Sequence, residues 1–300
     1  MQFSGFAVSV RGASHEDSGT PCQDSARVLI TDKLAVAAVS DGHGSEKHFR
    51  SDSGSEMAAR VALRSVTDFC ERNGSLGAVF LHDPREAARR IAGNIICGWN
   101  DEIAAHLRFS PLTPNERAIF EKYGGLQPEV MYGATLILAA ADKDGVFGLQ
   151  IGDGTFTLET ASGAEFPMPE DERLVGNLTT SLCDCDAINS FRSFWREGKM
   201  VSVTLSSDGL INSFLSSADL LNFAGRTARL SQQDIPALSV HLRERSVEGS
   251  TIVDADLILV LSRPSACSSF SRTLKARAVA ALPMLAEYCL PLVKVGGNFL

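Results

Sequence analysis

Residues 34–44 read Leu-Ala-Val-Ala-Ala-Val-Ser-Asp-Gly-His-Gly, an apolar run that ends in a carboxylate and an imidazole separated by glycine. The apolar part predicts a buried β-strand. Asp41 and His43 then lie where the chain leaves that strand, and the glycines beside them permit a tight turn. A carboxylate and an imidazole in such a turn are typical of a site that binds a charged group.

Composition limits what the rest of the chain can be. Its 300 residues are 44% hydrophobic, which is enough to build a large core and excludes a disordered chain. We expect one large domain, or one domain with an appendage. The formal net charge of -8 and the lack of a dense basic run predict that the protein does not bind nucleic acid.

The cysteines and the apolar segments bear on the compartment. The seven cysteines are odd in number and scattered, which favours reduced thiols over a disulfide framework. The sequence shows neither an export signal nor an apolar run of about 18 residues. We therefore expect no membrane binding and a cytoplasmic location.

Strands and helices occur in blocks along the chain. Residues 54–73 and 84–107 repeat apolar positions at helical spacing. Short apolar runs on either side predict strands at residues 3–10, 26–31, 34–40, 134–141, 146–151, 155–158, 200–205 and 257–261. We expect the second and third of these strands to be antiparallel neighbours. Strands, then helices, then more strands predict an α+β fold with layered sheets.

Two linkers between predicted strands have the composition of hairpin turns. Residues 142–145 read Asp-Lys-Asp-Gly, and residues 152–154 read Gly-Asp-Gly. Aspartate and glycine adopt the conformations that tight hairpins require, so we expect both linkers to connect paired strands. Residues 160–198 are polar, and we expect them to be irregular.

Four aspartates stand beside predicted strand ends although they are far apart in the sequence, namely Asp24, Asp41, Asp208 and Asp254. Hard divalent cations prefer oxygen ligands, and a two-metal site needs several carboxylates from different elements. Each aspartate alone also fits a solvated turn, because turns favour aspartate on local grounds. Only their joint pattern indicates a metal site.

Short motifs along the chain make that pattern more specific. In order they are Gly12-Ala13-Ser14-His15, Gly19-Thr20-Pro21-Cys22-Gln23-Asp24, Ser40-Asp41-Gly42-His43-Gly44, Gly133-Ala134-Thr135, Ile151-Gly152-Asp153-Gly154, Ser207-Asp208-Gly209 and Asp254. Over residues 4–262 this order resembles that of metal-dependent PPM/PP2C-type protein phosphatases, and most of all their bacterial branch. Each motif alone is weak, but the ordered set is specific.

The resemblance implies a fold and a chemistry. The fold would be an α-β-β-α sandwich of two antiparallel sheets flanked by helices, with two Mn²⁺ or Mg²⁺ ions at one rim. Asp41 would bridge the ions, and the Gly42 carbonyl would bind one of them. Asp208 and Asp254 would hold the other ion, and Asp24 would orient the attacking water at the metal site. The reaction would be direct hydrolysis of phosphoserine or phosphothreonine, without a phosphoenzyme.

His43 and Asp153 match two further positions of the family. His43 would be the general acid that protonates the leaving alkoxide, a role suited to a group that titrates near neutrality. The alternative is a turn histidine held by local hydrogen bonds. Asp153 would join Asp208 in binding a third, weaker metal ion, and its alternative is a plain hairpin turn.

The chain also departs from the family pattern near its start. Gln23 stands where many relatives have an acidic residue, which removes one charge close to the metals. Gly19 stands where many relatives have an arginine that holds substrate phosphate. We take Arg11 or His15 as the substitute for that arginine, although both also fit ordinary surface positions.

Near the end of the matched region lie the last expected metal ligand and the boundary of the domain. In Asp254-Ala255-Asp256 we align Asp254 with the metal ligand because it keeps the following strand in register, with Asp256 as the alternative. We expect residues 1–262 to form the phosphatase domain. Residues 263–300 lie beyond the match and are expected to pack on that domain, since exposed apolar patches are costly in water.

Residues 160–198 take the place of the variable flap beside the family's active site. A polar segment this long within a compact domain is usually functional. Cys183 and Cys185 lie in it, but two thiols one residue apart without a second pair are a poor zinc signature.

The resemblance suggests a phosphorylated protein as the substrate and a serine/threonine kinase as a functional partner. Two alternatives share the fold. One is a weak or inactive regulatory protein that binds phosphoprotein without turnover, and the other is a phosphatase of small phosphate esters. Retention of the metal carboxylates speaks against the inactive protein.

Overall fold

Two antiparallel sheets form the centre of the molecule in a computed structural model that describes residues 2–11, 21–174, 178–211, 214, 216–228 and 255–263. The strands in this part of the chain are β1 (Gln2–Val10), β2 (Ser25–Ile30), β3 (Ala35–Ser40), β4 (Leu136–Ala141), β5 (Gly145–Ile151), β6 (Thr155–Thr160), β7 (Gly163–Glu165), β8 (Arg192–Glu197), β9 (Ser202–Ser206) and β10 (Ala255–Arg263). Sheet I has the order β2-β3-β4-β5-β8, and sheet II has the order β1-β10-β9-β6-β7.

The described helices are α1 (Ser51–Asn73), α2 (Leu76–Phe80), α3 (Pro84–Phe109), α4 (Pro114–Lys122), α5 (Pro128–Met131), α6 (Ala187–Ser190), α7 (Asp208–Ile211) and α8 (Ser217–Thr227), with a 3-10 turn at Glu46–His48. Side-chain caps mark where several of them begin. The Asp83 carboxylate accepts a hydrogen bond from the Glu86 N–H at the start of α3. Such caps satisfy backbone donors that have no partner within the helix.

Strand β3 shows why the sheets form two layers. All six of its residues are buried, because both faces of the strand are covered. Val36 and Ala38 belong to the apolar cluster shared with α1 and α3, whereas Ala37 and Val39 belong to the cluster between the sheets. The alternation of side chains along a strand therefore divides one short segment between two cores.

The long helices α1 and α3 cover the outer face of sheet I. Gly54 of α1 lies so close to its neighbours that a Cβ there would stand 1.9 Å from the Tyr132 carbonyl oxygen. Its own carbonyl oxygen accepts a hydrogen bond of 2.9 Å from the Trp99 indole of α3. On the outer face of sheet II, α8 contacts β6 and β7 and buries Leu220 and Ala224. The layers are thus helix, sheet, sheet and helix, as expected from the sequence.

Several local expectations are confirmed. The two predicted helices correspond to α1 and α3. Helix α1 begins three residues earlier than predicted and α3 ends two residues later, and their other ends are as predicted. The antiparallel pairing expected between residues 26–31 and 34–40 is that of β2 with β3. The linker at residues 142–145 does join a hairpin, formed by β4 and β5.

The hairpin expected at Gly152-Asp153-Gly154 is wrong. Strand β5 belongs to sheet I and β6 to sheet II, so this linker is a corner between the sheets. Gly152 has the positive φ of 104° that a tight turn needs, but β6 pairs with β9 instead of returning along β5. Phe156 and Leu158 of β6 are buried between the sheets, and this burial is what directs the strand away.

The expectation of an irregular segment at residues 160–198 is also wrong in part. Strand β8 lies in it and pairs with β5 at the edge of sheet I, and β7 and α6 lie in it as well. Residues 192–197 read Arg-Ser-Phe-Trp-Arg-Glu, whose charged ends hide the strand pattern. Charged residues are common on edge strands because they discourage pairing with other chains.

Residues 12–20 and 264–300, including His15 and the expected C-terminal extension, lie outside the described residues. None of the described helices has the length and apolar character required to cross a membrane.

Candidate active site

A cleft of about 210 Å³ opens at one end of the sandwich, and its walls come from both sheets. The residues that line it are Gln23, Asp24, Asp41, Gly42, His43, Gly44, Thr135, Asp153, Thr179 and Asp208. Six of the predicted site residues are therefore brought together, from segments that follow β3, precede β2, follow β9 and form the corner after β5. Chain topology alone accounts for this convergence of distant motifs.

Asp41 is held by the chain segment that leads into β4. Its N–H donates to the Thr135 hydroxyl at 3.1 Å, and its carbonyl oxygen accepts from the Thr135 N–H at 2.8 Å. The Ser40 hydroxyl donates to the Thr135 carbonyl oxygen at 2.6 Å. These reciprocal bonds continue the β3–β4 pairing past the strand ends. They fix the backbone position from which the Asp41 side chain extends.

Gly42 is required for steric reasons. A Cβ at this position would lie 2.5 Å from the Gln23 carbonyl oxygen and 2.7 Å from the Ser51 carbonyl oxygen. The Gly42 N–H donates to the Gln23 carbonyl oxygen at 3.1 Å. Any larger residue would push the turn out of the cleft.

Gln23, which replaces an acidic residue of the family pattern, has a structural use here. Its side-chain amide donates to the Ser51 hydroxyl at 2.6 Å and to the His43 carbonyl oxygen at 3.3 Å. A carboxylate could not donate either hydrogen bond. The substitution therefore exchanges a negative charge for two bonds that tie the turn to the start of α1.

The clustered carboxylates repel each other. Burial raises the pKa of Asp41 well above its usual value, and the negative charges of Asp24 and Asp208 raise it further, together with a hydrogen bond to Asp208. Burial also raises the pKa of Asp153, with a contribution from the Asp208 charge. A cation in the cleft would remove this penalty, and carboxylate oxygens are the ligands that Mn²⁺ and Mg²⁺ prefer.

The donor set thus fits a divalent cation, although it is not a closed set of ligands. In the part of the chain that the structure describes, no three His, Cys, Asp or Glu side chains are grouped tightly enough to hold a metal ion. Asp254, one of the expected ligands, lies outside the described residues. Asp256 occupies the second position of β10, opposite Ser9 of β1.

His43 lies in the same cleft with its ring fixed on several sides. Its Nε2 lies 2.7 Å from the Ser181 hydroxyl oxygen, and its ring centroid lies 4.7 Å from that of His48. Burial, together with the nearby His48 and Lys47, lowers the pKa of His43 to about 4. The imidazole is therefore neutral at pH 7 in the substrate-free protein.

Of the two residues expected to bind substrate phosphate, only Arg11 belongs to the part of the chain that the structure describes. Arg11 is partly buried directly after β1, and it is not one of the residues that line the cleft. His15 lies outside the described residues. The replacement for the family's arginine therefore stays a prediction.

Three residues of the site were not predicted from the sequence, namely Thr135, Thr179 and Ser181. Thr135 is part of the Gly-Ala-Thr motif before β4, so its position in a recognised motif was an available signal. The Thr179 side chain hydrogen bonds to Asp153, and Ser181 contacts His43. Both lie in the polar segment 160–198. Residues 176–180 of its sequence resemble a short segment typical of the bacterial branch of the family, which was an available signal for Thr179, whereas no local pattern singles out Ser181.

The two-sheet sandwich with a carboxylate-rich cleft at one rim fits the fold that the motif resemblance implies, and comparison with known proteins identifies the family. A family model described as "Protein phosphatase 2C" matches residues 11–244. The chain belongs to this protein phosphatase family, which confirms the resemblance seen in its motifs.

The similar proteins include bacterial serine/threonine phosphatases. The chain is 23% identical over 208 residues to serine/threonine-protein phosphatase 3 of Escherichia coli (strain K12), covering 68% of this chain and 72% of that protein. The catalytic domain of the phosphatase PstP, in complex with two manganese ions, matches with a TM-score of 0.54 at 15% identity, over 87% of this chain and 98% of that chain. PppA of Pseudomonas aeruginosa matches with a TM-score of 0.55 at 19% identity and the same coverages. These structures support the fold.

Proposed function

We propose that this protein is a metal-dependent phosphatase that hydrolyses phosphoserine and phosphothreonine in target proteins. The observation that carries the proposal is the meeting of Asp24, Asp41, Asp153 and Asp208 in one cleft, beside His43. A similarly folded relative, PstP, was solved with two manganese ions. The rise in the pKa of Asp41 adds a physical reason for a cation at this place.

The proposed cofactors are two Mn²⁺ or Mg²⁺ ions. Asp41, Asp208 and Asp254, with the Gly42 carbonyl oxygen, are the proposed ligands, and Asp153 with Asp208 is the proposed third site. When bound, the ions supply positive charge against the phosphoryl oxygens and make a water molecule acidic enough to attack phosphorus.

The chain's own residues orient the reactants. Asp41 is rigid because Thr135 bonds both its N–H and its carbonyl oxygen. Asp24, which lines the cleft just before β2, is the proposed residue that orients the attacking water. His43 is the proposed donor of a proton to the leaving serine or threonine oxygen, and a bound phosphate dianion beside it would raise its pKa from about 4.

Three finer expectations remain proposals. Arg11 or His15 is the proposed contact to substrate phosphate. Residues 1–262 are the proposed catalytic domain, with 263–300 as its extension. A cytoplasmic location and a partner kinase stay predictions from the sequence.

The test is release of phosphate from a phosphothreonine peptide, measured with Mn²⁺ added and after chelation. We expect activity only with the metal. Asp41→Asn and Asp208→Asn should each lower kcat/KM on the order of 100-fold or more, since even outer partners of metal ligands are worth about 10- to 100-fold.

Asp32→Asn is the matched control, because Asp32 is exposed in the turn between β2 and β3 and undergoes the same chemical change. It should retain the full rate. Equal rates with and without metal, or no loss in either site variant, would contradict the two-metal mechanism. Binding of the phosphopeptide without turnover would indicate the inactive regulatory protein instead.

A further inference from the structure

The flap base, which we define as residues 178–184, is bonded to both walls of the cleft. On one side the Gly152 N–H of the sheet corner donates to the Thr180 hydroxyl at 2.9 Å. On the other side the Leu182 N–H donates to the Ala134 carbonyl oxygen at 3.0 Å. Thr180, Ser181 and Leu182 are buried. The segment therefore has a fixed position next to the site.

Ser181 lies at the middle of the flap base, and its hydroxyl has three nitrogen or oxygen partners. It donates to the Ala134 carbonyl oxygen at 3.0 Å, and the Cys183 N–H donates to it at 3.3 Å. His43 Nε2 is the third partner, at 2.7 Å. The Cys183 thiol is also 3.2 Å away, but thiols are weak donors and acceptors.

The proton count follows from these partners. A serine hydroxyl has one proton and two acceptor positions. The Ser181 hydroxyl is directed at the Ala134 carbonyl oxygen, which can only accept. With its proton used there, the hydroxyl oxygen accepts from the Cys183 N–H and from His43. His43 Nε2 must then carry a hydrogen.

The backbone around His43 prevents the ring from adapting in other ways. The His43 N–H donates to the Gly133 carbonyl oxygen at 3.0 Å. A Cβ on Gly133 would lie 2.6 Å from His48 Nδ1 and 2.7 Å from His43 Cδ2, so both rings are in close contact with this glycine. His48 Nδ1 in turn hydrogen bonds to the Val130 carbonyl oxygen. The backbone of His43 and the packing of its ring are thus fixed, and Ser181 is the hydrogen-bond partner of Nε2 among the residues that the structure describes.

We infer that Ser181 is a positioning residue that holds His43, a residue of the cleft lining, in the tautomer protonated on Nε2. The leaving oxygen of the substrate would then replace the Ser181 oxygen as its acceptor. This last step rests on the proposed function, whereas the tautomer does not. A flap residue would in this way set the state of a side chain 138 positions before it.

The direct test is the ¹⁵N–¹H spectrum of histidine-labelled protein with Mg²⁺ present. The signal of His43, one of six histidines, is identified by its loss in His43→Ala. In the native protein we expect the proton on Nε2. In Ser181→Ala we expect the signal to shift or broaden, because both tautomers become populated. Ser65→Ala, a buried serine of α1, is the matched control and should leave the His43 signal in place.

A His43 ring protonated on Nδ1 in the native protein would overturn the inference, and that measurement needs no folded Ser181 variant. An unchanged His43 signal in Ser181→Ala would overturn it as well. If His43 serves the leaving group, Ser181→Ala should also lower kcat roughly tenfold on a phosphothreonine peptide, with KM and the rate on an aryl phosphate little changed. Failure of this kinetic arm with the expected spectrum would count against the acid role of His43 and leave the positioning role intact.

Discussion

At the scale of single residues, the imidazole of His43 makes the sharpest kinetic prediction. An alkoxide leaving group from serine or threonine needs a proton, whereas an activated aryl leaving group does not. His43→Ala should therefore lower kcat about 100-fold or more on a phosphothreonine peptide, and much less on p-nitrophenyl phosphate. The comparison of the two substrates separates loss of the acid from general damage to the site.

The control for this variant is His82→Ala, since His82 is exposed in the turn after α2. It should change neither rate. A drop of equal size on both substrates in His43→Ala would argue that the imidazole binds or positions the phosphate and does not protonate the leaving group.

The sequence predicted the charged residues of the site better than their supports. Asp41 and His43 could be found because a carboxylate and an imidazole after a buried strand are unusual locally. Thr135 and Ser181 could not be assigned roles, because their importance lies in hydrogen bonds that span 94 and 138 positions. A serine or threonine in a polar segment has no local feature that reveals such a partner.

At the scale of elements, helix α4 is held to the rest of the protein by polar contacts as well as by Phe120, which packs against the main apolar cluster. None of its residues is buried. The guanidinium of Arg50, only 5% exposed, donates to both carboxylate oxygens of Glu116 at 2.7 and 2.9 Å and to the Tyr132 hydroxyl at 3.0 Å. Arg50 precedes α1 and thus ties α4 to the segment that follows the active-site turn.

Loss of the Arg50–Glu116 ion pair should lower the free energy of unfolding by an amount that depends on pH. The hydrogen bonds from Arg50, together with those from Thr113, lower the pKa of Glu116 to about 2. The stabilisation of the folded protein by ionised Glu116 is then fully present above the pKa of roughly 4.3 that this group has in the unfolded chain. It is lost as the pH falls through the lower pKa of the folded state. Glu116→Ala should cost about 2 kcal/mol of unfolding free energy at pH 7, because it leaves a buried guanidinium without its charge partner.

Urea unfolding of both proteins at several pH values measures this difference. The difference in unfolding free energy between the native protein and Glu116→Ala should become smaller as the pH falls from about 4.3 towards 2. Glu121→Ala, at an exposed position of the same helix, should cost much less at every pH. A gap for Glu116→Ala that stays constant down to pH 2 would mean that the loss comes from packing and not from charge.

Two linkers of similar composition show that local sequence predicts a turn but not the strand that follows it. The linkers 142–145 and 152–154 have similar turn composition, yet the first closes a hairpin and the second crosses between the sheets. Glycine and aspartate report that the chain turns, and they carry no information about which strand it joins next. That choice depends on the burial of Phe156 and Leu158 in the core between the sheets, which is a property of the whole fold.

At the scale of the whole molecule, the cleft joins the two sheets. Asp41 follows a strand of sheet I, Asp208 follows a strand of sheet II, and Asp153 lies in the corner that connects them. The layered α+β fold was predictable because alternating burial and long amphipathic helices are strong local signals. These local signals do not show that distant carboxylates meet at one rim of the sheets. That could be anticipated only from the order of motifs shared with the family.

This arrangement predicts that one substitution changes stability in opposite directions with and without metal. In the metal-free protein, the Asp208 charge opposes ionisation of the buried Asp41, so Asp208→Asn should raise Tm by about 2 °C for each kcal/mol of repulsion removed. With Mn²⁺ at about 100 times its Kd, the native protein should gain about 2.7 kcal/mol, and the variant much less. Thermal melts with Mn²⁺ and with chelator measure both effects, and Asp32→Asn should follow the native protein in each. A metal that leaves the native Tm unchanged would contradict the view that a cation links the two sheets, because a ligand bound only by the folded state must stabilise it.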